Sequence, residues 1–205
     1  MTPLVEQPAL PLVYRPRLSE QDFVTSDTNR DAVAWLARPD LWPMPRCVLI
    51  GPAASGKSHL AAMFAARQPA LVFDDADLLT DGEPLFHAWN AADRARPLLM
   101  TATRMPRFWA HRLPDLASRL AATPQVRLED PDDVLIAAVL VKCFADRGLR
   151  VGDDVVAWLV TRIERSFAAA TDVVARLDQA ALSERRDITV PMARALLEEQ
   201  GELGL

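Results

Sequence analysis

Glycine is scarce in this chain: 205 residues hold only 7. Two glycines at a meaningful spacing therefore stand out. Cysteine is scarcer still. Cys47 and Cys143 neither frame a disulfide scaffold nor stand at metal-ligand spacing, and both read as buried free thiols. No uninterrupted apolar run approaches the ~20 residues that a membrane span needs. The first residues carry no basic start followed by an apolar stretch, so no signal peptide is expected and a cytoplasmic protein is. Positive charge is also in deficit. Lys and Arg number 23 against 28 Asp and Glu, a net charge of -5. That balance argues against unaided binding of duplex DNA, which rests on clustered Lys and Arg. What is present is ordinary globular composition, 50% apolar and 25% charged. The length suits one core, or a core with a small second lobe.

The first 18 residues contain Pro3, Pro8, Pro11 and Pro16 and read as an extended tail. Residues 19–130 then alternate between short apolar runs and helical patterns. Asp22 to Arg38 turns helical toward its end. Cys47–Ile50, Ala70–Phe73, Leu98–Thr101 and Val126–Leu128 suit buried strands. Lys57–Arg67 and Pro84–Ala95 suit helices. Such alternation predicts an α/β base with a parallel sheet covered on both faces. From residue 131 to 205 the pattern is helical throughout: Asp132–Arg147, Asp153–Glu164, Phe167–Arg185 and Pro191–Glu199. Asp132 and Asp153 suit helix starts, and Pro191 suits a first turn.

Gly51-Pro52-Ala53-Ala54-Ser55-Gly56-Lys57-Ser58 fits the pattern G-x-x-x-x-G-K-[ST], between a strand and a helix. The glycines let backbone N–H groups approach phosphate oxygens, and the helix behind aims its positive end at the same anion. Lys57 can reach the outer phosphates, the Ser58 hydroxyl can ligate magnesium, and His59 follows in the first turn. The site predicted is one for ADP or ATP with Mg2+. Val72-Phe73-Asp74-Asp75 fits the acidic strand beside such a loop, with Asp74 near magnesium and Asp75 orienting a water. Only about fifteen residues separate Ser58 from Asp74. The interval suits one crossover, so one edge strand of the usual sheet is expected to be missing.

These residues carry a family resemblance from about Tyr14 onward. The chain resembles the AAA+ core of the bacterial replication initiator DnaA, and more closely the shorter DnaA-related regulators of the Hda family. Tyr14-Arg15-Pro16 through Asp22-Phe23-Val24 and Asn29 looks like the lead-in that lies over the adenine. Leu98 to Pro106 resembles the sensor 1 strand, with Thr103 where the family usually has an acidic residue. Leu113-Pro114-Asp115-Leu116-Ala117-Ser118-Arg119-Leu120 looks like the segment carrying the arginine finger. The resemblance implies that Arg119 acts on a neighbour's γ-phosphate. Phe167 to Leu182 is similar to the sensor 2 helix, aligned here with Thr171 in place of the arginine and Arg176 about a turn later.

Gln7-Pro8-Ala9-Leu10-Pro11-Leu12 is similar to the peptide by which Hda-type proteins dock on the DNA polymerase sliding clamp. Gln7, Leu10 and Leu12 would make that contact from a stiffened, extended segment. The helix-turn-helix domain with which DnaA ends has no counterpart here, so no direct sequence-specific DNA binding is expected. The resemblance implies an adaptor that holds adenine nucleotide, docks on the clamp and stimulates ATP hydrolysis by DnaA, with weak or no ATPase of its own. The residues alone leave two alternatives open: a self-contained ATPase acting as loader or remodeller, and a degenerate scaffold. Self-association is left open as well.

Overall fold

The computed structural model describes residues 23–109 and 113–202, with side chains as far as Glu198. Gln7, Leu10 and Leu12 of the docking peptide lie outside the described residues. So do Tyr14, Arg15, Pro16 and Asp22 of the lead-in.

Four strands form one sheet: β1 (Arg46–Ile50), β2 (Leu71–Phe73), β3 (Leu98–Ala102) and β4 (Gln125–Arg127). Their order is β2-β3-β1-β4, and every pair is parallel. Parallel neighbours need crossovers, which α2 (Lys57–Arg67), α3 (Glu83–Ala91) and α4 (Pro114–Ala121) supply. A further helix, α1 (Arg30–Ala37), precedes the sheet. β1 and β3 lie centrally and are apolar almost throughout, as strands covered on both faces must be. As the short interval predicted, α2 runs directly into the acidic strand, and that strand, β2, is the sheet's edge on this side.

Alternation along the strands divides the core. Cys47, Leu49 and Leu99 pack with Leu36 of α1 and Leu60 and Phe64 of α2. Trp42 stacks between Trp35 and Phe64, with ring centroids 6.4 and 5.4 Å away. On the other face Val48, Ile50, Leu98 and Met100 pack with Leu85 of α3 and Leu116 and Leu120 of α4.

The remaining helices, α5 (Asp133–Asp146), α6 (Asp153–Val160), α7 (Phe167–Glu184) and α8 (Val190–Glu202), build a core of their own. Ile136, Leu140, Phe144, Leu159, Val174 and Leu177 are fully buried there. Asp132 caps α5 by accepting from the Leu135 N–H at 2.7 Å, and Ser166 caps α7 by accepting from Ala169 at 3.1 Å. Arg165 clasps Asp133 through two bonds of 2.8 and 3.2 Å, tying the start of α7 to that of α5.

Among the differences from the sequence expectation, two helices end early and one helix was not expected. α3 ends at Ala91 rather than Ala95, because the Asp93 carboxylate accepts from the N–H groups of Ala95 and Arg96 and turns the chain. α6 ends at Val160 rather than Glu164, in a turn where Arg162 and Ile163 both donate to the Leu159 carbonyl. α4 was not anticipated as a helix. It is one of eight residues, opened by Pro114 at its first position and held by Leu116 and Leu120. Among the described residues no helix is long and apolar enough to cross a membrane.

Candidate functional site

β1 delivers the chain to Gly51 at the centre of the sheet's C-terminal edge. The Gly51 N–H donates to the Ala102 carbonyl at the end of β3, at 3.1 Å, and Leu128 donates to the Ile50 carbonyl at 2.7 Å. The loop is thus pinned to both neighbouring strands. A Cβ on Gly51 would stand 2.9 Å from Leu128 Cβ and 2.9 Å from Ser55 Oγ, so only glycine fits. Gly56 has φ +90°, and a Cβ there would stand 2.7 Å from the Phe167 ring. Ala54 also lies in the left-handed region, at φ 54°. Ser55 Oγ donates to the Pro52 carbonyl at 2.9 Å and closes the loop from within.

Lys57 opens α2 and is buried. Its ammonium donates to the carbonyls of Gly51 (3.0 Å) and Pro52 (2.5 Å), folding back over the loop. Burial pushes its pKa down, and the carboxylates of Asp75, Asp77 and Asp74 push it back up. Lysine and acidic strand end are therefore brought together, as the motif required. Ser58 is exposed in the first turn of α2, beside His59, whose ring meets Phe23 edge-on at 5.2 Å. The loop conformation and the buried lysine suit a polyphosphate. Among the described residues no group of three or more His, Cys, Asp or Glu is arranged around a metal. A magnesium ion at a phosphate loop needs none, because phosphates and water fill most of its octahedron. Ser58 and Asp74 are the residues that would hold it.

Asp74 and Asp75 are exposed at the end of β2. Thr101 on β3 organises both: its hydroxyl donates to Asp74 Oδ1 at 2.5 Å and accepts the Asp75 N–H at 2.8 Å. Thr103, further along, is exposed. A further carboxylate of this segment, Asp77, is interior. Asp77 Oδ2 accepts from the Arg104 N–H (3.1 Å) and Nε (3.3 Å), and Arg104 Nη2 donates to the Asp77 carbonyl at 2.7 Å. Its other oxygen, Oδ1, is buried without a hydrogen-bond partner. This pair ties the acidic strand end to the loop after β3.

The helical lobe touches the phosphate loop through the N-terminus of α7. The Phe167 N–H donates to the Ala54 carbonyl at 3.2 Å, and its ring covers Gly56. Thr171 lies a turn further along, and its hydroxyl bonds back to the Phe167 carbonyl at 2.8 Å. Arg176 faces α8, where Nη2 donates to the Leu196 carbonyl at 3.0 Å, so it does not replace a sensor arginine. The first turn of α7, Phe167-Ala168-Ala169-Ala170-Thr171, carries no cation.

Arg119 lies apart from this constellation. α4 packs on the sheet face opposite α2. The Arg119 guanidinium is held by Asn90 and by Asp115 (2.8 Å), over the rings of Trp89 and Phe86.

A phosphate loop between a central parallel strand and a helix, an acidic strand two places away in the sheet and a helical lobe seated on the loop define a P-loop α/β fold of the kind found in AAA+ domains. Similar solved structures agree. Domain III of the Thermotoga maritima replication initiation protein DnaA superposes with a TM-score of 0.75 at 14% identity, over 90% of this chain and 97% of that one. AMPPCP-bound DnaA from Aquifex aeolicus gives 0.66 at 14%, over 80% and 66%. The Thermotoga maritima Holliday junction branch migration motor RuvB gives 0.66 at 14%, over 89% and 72%. Residues 133–197 match the family described as the Hda lid domain. The helical lobe is thus similar to an Hda lid, and the chain shares the fold of DnaA domain III. An uncharacterized protein of Haemophilus influenzae is 30% identical over 100 residues, a match that spans 49% of this chain and 43% of that protein.

Proposed function

We propose that this chain is a regulatory adaptor. It binds adenine nucleotide with magnesium at residues 51–59, docks on the DNA polymerase sliding clamp through Gln7, Leu10 and Leu12, and presents Arg119 to ATP held by DnaA. The result is hydrolysis in DnaA and restraint of replication initiation. The observation that carries this reading is the Hda-type lid at 133–197 on a base with the DnaA fold. The DnaA of Aquifex aeolicus binds AMPPCP, which supports an adenine nucleotide here. Two features favour a nucleotide held rather than rapidly turned over. The first turn of α7 offers no arginine, and Asp74 is engaged by Thr101. Arg119, on α4 across the sheet from α2, suits action in trans.

The test is turnover. The purified chain alone is expected to hydrolyse ATP negligibly, yet to accelerate hydrolysis by DnaA when DNA-loaded clamp is present. Arg119→Ala abolishes the acceleration and leaves clamp binding intact. Gln7→Ala with Leu10→Ala weakens clamp binding first. Many turnovers per minute by the chain alone, insensitive to clamp and DnaA, would overturn the reading in favour of a self-contained ATPase.

A further inference from the structure

Arg119 has more holding it than a surface arginine needs. An arginine side chain loses about 2 kcal/mol of rotamer freedom when fixed, so an unaided arginine stays mobile. Here Trp89 of α3 restrains it in two ways. The Arg119 guanidinium carbon stands 4.9 Å from the centre of the Trp89 ring. The Trp89 indole N–H donates to the Thr123 hydroxyl at 3.3 Å, and that hydroxyl donates to the Arg119 carbonyl at 2.9 Å. Thr123 is buried, so this bridge is shielded from water. Trp89 thus touches both ends of the arginine.

Trp89 is itself anchored from β1. Arg46 stands 4.1 Å over the same ring, while its Nε and Nη2 donate to the carbonyls of Trp89 (2.7 Å) and Ala92 (2.9 Å) at the C-terminus of α3. Basic groups are favoured at that helix end. Burial and the nearby Arg119 charge lower the Arg46 pKa, which fits two guanidinium groups sharing one indole.

We propose that Trp89 is the positioning residue for Arg119, with Thr123 as its bridge to the Arg119 backbone and Arg46 as its anchor in the sheet. The inference rests on the reading of Arg119 as the residue presented to DnaA-bound ATP. Two guanidinium donors go to Asn90 and Asp115, which leaves part of the planar fork for a phosphate. Trp89 holds that fork at one height and angle. A misplacement of about 1 Å at a reacting centre can lower a rate about a hundredfold, so the platform acts on rate rather than on partner affinity.

The experiment measures DnaA ATP hydrolysis with DNA-loaded clamp while this chain is titrated. Arg119→Ala sets the floor. Trp89→Leu is expected to lower the maximal rate at least about tenfold, with less than about threefold change in the concentration giving half-maximal stimulation. Trp89→Phe keeps a ring face but loses the indole N–H to Thr123, and is expected to fall between Trp89→Leu and wild type. Thr123→Val lowers the maximal rate, and Thr123→Ser, which keeps the hydroxyl, restores it. In the wild-type chain the NMR signals of the Arg119 side chain are expected upfield of random-coil positions, through the Trp89 ring current. If Arg119→Ala stimulates fully, the reading of Arg119 falls and the inference with it. If Arg119→Ala is inactive while Trp89→Leu and Thr123→Val stimulate fully, the inference alone falls. Equal losses in Trp89→Phe and Trp89→Leu also overturn it. Should Trp89→Leu fail to fold, the Thr123 pair and the wild-type spectrum still decide: a random-coil Arg119 signal overturns the platform.

Discussion

Cys47 sits in β1 with no exposed surface and accepts the Trp35 indole N–H at 3.2 Å. Burial pushes its thiol up from 9.0 to about 12. A raised folded pKa contributes stability that is complete below about pH 9 and is lost as pH rises toward about 12. At about pH 10, one unit above the ordinary thiol value, the loss is on the order of 1 kcal/mol. Cys47→Ala is therefore expected to start less stable but to fall less between about pH 8 and 10, read from urea midpoints. Parallel slopes for the two proteins would contradict this. Arg104 offers a second test. Removing it as Arg104→Ala leaves the Asp77 carboxylate, 1% exposed, without its charged partner. A loss of about 2 kcal/mol is expected in the same urea assay. Asp77 and Arg104 were not legible as a pair, because they are 27 residues apart, with α3 and β3 between them. The phosphate loop was legible because its chemistry is local: eight consecutive residues carry it.

At the scale of elements, the starts of α5 and α7 make a controlled comparison. Each is capped by one side chain, Asp132 or Ser166, and removing either cap costs about 1 kcal/mol. Only α7 begins against the phosphate loop, through Phe167 and the Ala54 carbonyl. Ser166→Ala is thus expected to lower both stability and affinity for ADP, the latter several-fold in calorimetry. Asp132→Ala should lower stability equally and leave ADP affinity unchanged. Equal effects on binding would mean that the α7 contact is not special. The starts of α5 and α6 could be read from the sequence because Asp132 and Asp153 mark them. α4 escaped notice because it is only eight residues long, although Leu116 and Leu120, four apart, mark the apolar stripe that covers the sheet's far face. α3 ends where Asp93 turns the chain, and Arg46, from a distant strand, takes the carbonyls of Trp89 and Ala92 there.

For the whole molecule, the order of elements was readable because buried parallel strands leave continuous apolar runs, and because one short interval foretold the shortened sheet. Which residues of the lobe meet the loop was not readable. Thr171 had been aligned to the sensor position, whereas Phe167 is the residue that lies on Gly56. That contact joins the loop to the apolar core of α5–α8 as well as to the sheet. A ligand held by the loop should stabilise both cores, since opening either part loosens the cradle. Free ADP at about 100 times its dissociation constant adds about 2.7 kcal/mol. In a chain of this size that raises the thermal midpoint by roughly 5 to 10 °C. Lys57→Ala removes the ammonium that now bonds Gly51 and Pro52 and is expected to lose this shift. Arg119→Ala, on the opposite sheet face, should retain it. A wild-type midpoint unmoved by millimolar ADP or ATP with magnesium would rule out a nucleotide cradle at residues 51–58, whatever the fold resembles.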